Sequence, residues 1–220
     1  MKMILFAIQH DWPFLLPIFI CSLLAVGVAI ERWMFFRGNK RDVVALLDRL
    51  QEALDQRALQ QAAIAADRTG GLLGQVAKSG VQTLMERASS FDRQFDISAS
   101  LALRKLERRL AILGTIATIS PYLGLFGTVI RILITFGDMA QTGGGASASS
   151  IMFGIGSALI ATACGLGVAI AAVALHNYFH TQIGRWEDDF QLIKLMLLSA
   201  ADKGSAGPAP VPMRRPTTQI

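Results

Sequence analysis

Arg131 is the only charged side chain within the three apolar stretches of this 220-residue chain, and it stands five residues before Phe136, near one end of its stretch. At mid-bilayer a guanidinium costs at least ~2.5–3.5 kcal/mol. Arg131 therefore either snorkels to the interface or pairs with a carboxylate of the oligomer or of another protein. The remaining polar groups are hydroxyls set among small residues. Thr115, Thr118, Ser120, Gly124, Gly127 and Thr128 share the second stretch with Pro121, which frees a carbonyl one turn back and permits a bend. In the third, Ser150, Gly154, Ala158 and Thr162 follow one i, i+4 stripe, and Ser157, Ala161, Gly165 and Ala169 follow another. Such stripes let helix backbones approach closely. One facing inside the subunit and one facing a neighbour predict a homo-oligomer. Each hydroxyl taken singly can also bond to the carbonyl four residues back in its own helix.

The absences are as informative. No Asp or Glu falls within the three stretches, so a proton taken up at depth would need an acid from another subunit. His176 and His180, at i and i+4, have the spacing of a two-ligand metal site, but they lie near the end of an apolar run where interfacial placement suits them. Cys21 and Cys164 fall mid-stretch and read as packing residues, so neither a metal nor a cofactor is expected. No nucleophile, base and oxyanion donor can be placed in one site, which argues against an enzyme.

The elements that hold these residues follow from composition. The chain is 52% hydrophobic and 17% charged, with a mean hydropathy of +0.45, against about 25% charged residues in soluble domains. Residues 12–30, 110–136 and 151–177 are each near or above the ~20 residues that cross a bilayer as a helix. Of the 21 Lys and Arg, fourteen lie from Arg32 to Arg109 and five from Arg185 to Arg215. The positive-inside bias then puts 31–109 and the C-terminus in the cytoplasm and residues 1–11 and 137–150 in the periplasm. The net charge of +5 is thus a topology signal rather than a nucleic-acid footprint. Trp12 and Trp33 bracket the first span at the two interfaces, and the charge after it marks a retained anchor rather than a cleaved signal peptide.

Residues 31–109 take up amphipathic helical patterns. Val43, Val44, Leu46, Leu47, Leu50 and Leu54 recur at helical spacing in a first helix that Thr69-Gly70-Gly71 stops. A second helix is expected from about Leu72 to Arg87. Ser89-Ser90 caps a third that, unbroken until Pro121, should run straight into the second span. Beyond the third span, Ile183, Trp186, Phe190, Ile193, Leu195 and Leu197 continue a helix over 178–202, and the Pro-rich residues 203–220 are expected to be disordered.

ISPYLGLFGTV at 119–129 and ALIATACGLGVAIAAV at 158–173 resemble the paired signatures of the MotA/TolQ/ExbB proton-channel family, and residues 12–38 resemble the first span of its ExbB branch. The resemblance implies an all-α, three-span transmembrane protein with long helices extending into the cytoplasm, assembled as an oligomeric bundle around a central lumen. Five copies would surround a dimer of single-span ExbD- or TolR-type helices whose Asp is the protonatable group. Proton flow would then be delivered as work to a TonB- or TolA-type protein that energises outer-membrane transport. A TolQ-type subunit for envelope integrity and cell division is the alternative within the family. A proton-inactive membrane scaffold that clamps a partner helix is the alternative outside it. The family's lumen-facing threonines correspond to Thr128 and Thr162, and Pro121 and Gly124 match its motif. Two positions depart from it. Ser157 stands where the family commonly has Glu, and Arg131 where it commonly has a small residue, so the proton path either rests on the partner's Asp or is altered.

Overall fold

A computed structural model describes residues 12–39, 42–56, 58–86, 90–141 and 148–205. Among these the chain forms seven helices and no strand: α1 Trp12–Gly38, α2 Val43–Asp55, α3 Leu59–Thr69, α4 Gly71–Met85, α5 Phe91–Glu107, α6 Leu110–Gln141 and α7 Ala148–Ser205. Three segments, beginning in α1, α6 and α7, are long and apolar enough to cross a membrane. Residues 1–11, 142–147 and 206–220 lie outside the described residues, as do the side chains of Trp12 and Ser150. α6 runs on to Gln141, so helix enters the expected periplasmic turn, and α7 continues to Ser205, past the expected start of the tail.

The chain divides into two compact units, one from the chain up to Gly38 with Lys105–Gly184, the other from Asn39–Arg104 with the chain from Arg185 onward. In the first, α1 buries Ile18, Ala25, Val28 and Arg32 at helical spacing, while Phe19, Leu23, Val26, Ile30 and Trp33 face outward as lipid-facing residues do. Phe36 stacks on Phe179 of α7, with ring centroids 5.7 Å apart.

The straight run from Phe91 into the second span does not form. α5 ends at Glu107, and Arg109 adopts a φ of 67°, a left-handed conformation that costs a residue with a Cβ roughly 1–2 kcal/mol. The physical reason lies on α1. Arg32, 2% exposed, donates from Nη1 to the carbonyls of Lys105 (3.2 Å) and Leu106 (3.3 Å), taking up acceptors that the broken helix leaves over. Glu31 joins Arg32 (2.9 Å) to Arg109. Those two guanidiniums, Arg32 first and then Arg109, hold the Glu31 carboxyl below its usual value.

In the second unit the expected first helix is two, because the chain turns after Asp55 with Gln56 as the cap of α2 and Ala58 N–H donating to the Ala53 carbonyl. The turn lets Ala62 and Ala66 of α3 pack inward alongside Leu46 and Leu50 of α2. Gly70 and Gly71 have φ of 64° and 60°, the conformation that makes glycine necessary at the α3–α4 reversal. α4 spans Gly71–Met85, and Arg87 and Ser89 are not among the described residues. The Ser90 carbonyl accepts from Gln94 N–H at the start of α5. Trp186, Phe190, Ile193 and Leu197 of α7 form a buried stripe, whereas Leu195 is 61% exposed. Lys194 reaches Asp96 at 2.8 Å and Asp92 at 3.4 Å, and the Asp96 bond, ahead of that from Asp92, raises its pKa.

Candidate functional site

The hydroxyls and small residues singled out in the sequence meet along one seam between α6 and α7. At its centre the two backbones touch. A Cβ on Gly124 would lie 3.0 Å from the Ala161 carbonyl oxygen, and one on Gly165 would lie 2.6 Å from the Ser120 carbonyl oxygen, so neither position admits a side chain. A Cβ on Gly127 would meet that of Ala161 at 3.0 Å, Gly154 faces Thr135, and Ala158 is 1% exposed. Both small-residue stripes of α7 contribute to this contact: Gly154 and Thr162 of the first and Ser157, Ala161 and Gly165 of the second all meet α6. The expected division, one stripe inward and one toward a neighbour, therefore does not hold. Cα–Cβ vectors of adjacent i, i+4 rows diverge by only about 60°, as 3.6 residues per turn dictates, so one closely packed helix covers both.

Most hydroxyls turn back on their own helix. Thr115 bonds Ala111 O, Thr118 bonds Gly114 O, Thr135 bonds Arg131 O, and Thr128, buried, bonds Leu125 O at 2.6 Å. Thr162 is different. Its Oγ1 crosses to the Gly124 carbonyl of α6, 3.2 Å away, at the level where the glycines meet. Toward Gln141, Arg131 Nε donates to Ser157 Oγ at 3.0 Å, and Ser157 Oγ in turn donates to Gly154 O at 3.0 Å. The two departures from the family pattern are thus direct neighbours, which sequence separation conceals and an arginine's reach of one helix turn explains. Pro121 lies within α6 half-buried, next to Ser120. At the other end of the seam the His176 ring rests against Gly114, where a Cβ would be 3.4 Å from Nε2, and it lies 6.0 Å from the His180 ring.

The missed residues are Arg32 and Ser120. Arg32 reads in the sequence as one of many positive-inside charges, yet it is buried and caps α5. Ser120, one hydroxyl among several in the sequence, is 0% exposed.

Three long apolar helices, two of them in backbone contact through glycines and with hydroxyls but no carboxylate in their apolar stretches, define a helical integral membrane protein whose spans are built to pack. Residues 69–192 match the model of the MotA/TolQ/ExbB proton channel family. The chain belongs to that family. It is 32% identical over 184 residues to the biopolymer transport protein ExbB of Salmonella typhimurium, covering 76% of this chain and 75% of that one. It is 32% identical over 197 residues to the Tol-Pal system protein TolQ of Pseudomonas aeruginosa, covering 78% and 84%. With TolQ of Haemophilus influenzae it shares 39% identity over 99 residues, 44% of this chain and 42% of that protein. The family is one of proton-channel subunits rather than enzymes, and three apolar helices make this chain a membrane protein.

Proposed function

We propose that this chain is a proton-conducting stator subunit of the ExbB type. Copies of it, five in the arrangement that the family resemblance implies, ring a dimer of single-span ExbD- or TolR-type helices. A carboxylate of the partner supplies the acid that no span of this chain carries. Proton flow past it drives a TonB- or TolA-type protein that energises outer-membrane transport. The N-terminus is periplasmic and the C-terminus cytoplasmic, as the distribution of Lys and Arg supports. Homologues named ExbB and TolQ match at equal identity over similar shares of the chain, so a TolQ-type role in envelope integrity draws the same support from them.

The observation that carries this reading is the Thr162 hydroxyl, held across the α6–α7 contact by the Gly124 carbonyl. Its oxygen keeps lone pairs for a water or for a partner's carboxylic acid, and it does so without a competing charge. Thr128 and Ser157 extend the same line toward the periplasmic end. Pro121, Gly124, Gly127, Ala158 and Gly165 bring the helices close enough for the line to be continuous. Arg131, anchored on Ser157, is the counter-charge for the partner's acid in this reading. A second reading, a proton-inactive clamp, draws on the same pair, because a guanidinium at this level repels a proton.

Co-expression with a single-span, Asp-bearing partner separates the two. The expected result is a complex richer in this chain than in the partner, whose energised transport is lost in Thr162→Val while assembly is kept. Transport that survives Thr162→Val contradicts the lining role, and failure to associate contradicts the stator.

A further inference from the structure

Ser120 is fully buried, and its hydroxyl makes no hydrogen bond to any protein group. Buried hydroxyls are almost always paired, and one in a helix has a ready acceptor in the carbonyl three or four residues back. Its neighbours Thr115, Thr118, Thr128 and Thr135 all use such a carbonyl. Ser120 does not. The residue that follows it is Pro121, which has no N–H, so the carbonyl of Ala117 receives no α-helical bond from that position. One turn of α6 thus carries a hydroxyl without a protein partner and a carbonyl that lacks its α-helical donor. The facing surface is bare backbone, since the Ser120 carbonyl oxygen lies 2.6 Å from where a Gly165 Cβ would be. One turn further on, the Thr162 hydroxyl meets the Gly124 carbonyl.

We propose that the Ser120 hydroxyl and the Ala117 carbonyl form a water-binding site within the α6–α7 seam, and that Ser120 acts there as a positioning residue for proton passage. A buried water needs two to four polar partners, and this turn offers a hydroxyl that both donates and accepts together with the carbonyl that Pro121 leaves without its α-helical donor. The bound water carries the hydrogen-bonded line from Thr162 toward the Leu110 end of α6. A proton arriving at the water on one side is matched by one released on the other, so Ser120 keeps its own proton and no side chain changes charge. The site stands on the geometry alone, whereas its use in proton passage rests on the proton-conducting reading.

The test is a high-resolution structure and a proton-flux measurement on the complex co-purified with its partner, for the native chain and for Ser120→Ala. The expected results are a water peak within hydrogen-bonding distance of Ser120 Oγ and Ala117 O, absent in Ser120→Ala, and a flux lowered about tenfold or more with assembly intact. A Ser120 hydroxyl bonded to its own helix with no peak overturns the site. A peak with unchanged flux in Ser120→Ala, where Thr162→Val still abolishes flux, overturns the positioning role. If the native complex conducts no protons, the proton-conducting reading fails and the positioning role with it, while the peak still decides the site.

Discussion

Arg131 and Ser157, the two positions where the family resemblance leads one to expect a small residue and a Glu, bond each other, so this seam has a cation toward the Gln141 end of α6. Ser157→Glu would put a carboxylate within reach of Arg131. The variant should melt higher than the native chain, by an amount that disappears when Arg131 is also changed to Met. A coupling of about 1–3 kcal/mol in that double-mutant cycle is expected, and zero coupling would show that the two side chains act independently. The glycines divide just as sharply. Gly165→Ala drives a methyl group against the Ser120 carbonyl and should cost about 1–3 kcal/mol in thermal melting of the purified protein. Gly167→Ala, with nothing within 4 Å, should be close to neutral. Equal effects of the two would mean that the α6–α7 contact is looser than its geometry. Which positions hold small residues is plain in the sequence. Which hydroxyls cross between helices is not, because i, i+4 spacing places Thr162 and Thr128 on stripes without saying which carbonyl lies nearest.

Helix existence was legible wherever periodicity was strong, and helix interruption was not. The three spans follow from apolar runs, and the α3–α4 reversal follows from Gly70 and Gly71, whose positive φ no other residue adopts as cheaply. The breaks after Asp55 and at Arg108–Arg109 carry no Gly or Pro. The second is held from outside the local segment, by Arg32 and Glu31 of α1, more than 70 residues away. Arg32→Met should therefore destabilise the protein by roughly 2–3 kcal/mol, since it removes charge-assisted bonds to two carbonyls. Unchanged melting would remove Arg32 from the account of the break. Glu31 predicts a pH dependence whose sign follows from its lowered pKa. Its contribution is complete above the ordinary carboxyl value of 4.5 and is lost as pH falls through the lower folded value. The difference in melting temperature between native and Glu31→Gln protein should be present at neutral pH and vanish in acid. A difference that stayed constant with pH would exclude the ion pair as its cause.

In the proposed reading, the spans of this chain are organised around an acid that they do not carry. Its charges lie outside the spans apart from Arg131, its α6–α7 contact is lined by hydroxyls and backbone, and relatives of it are named as a biopolymer transport protein and a Tol-Pal system protein. A membrane helix filled for anchoring alone would be rich in Leu and Val, and would have no use for a Thr hydroxyl held across a glycine contact. The proposed function accounts for that composition by giving the proton to a partner and the polar path to this chain. Proton flux into vesicles reconstituted with the complex of this chain and its single-span partner tests that claim most directly. The account predicts flux down an imposed pH gradient that falls to the level of empty vesicles in Thr162→Val, with the complex still assembled. Flux undiminished by Thr162→Val, or none from the native complex, would contradict it.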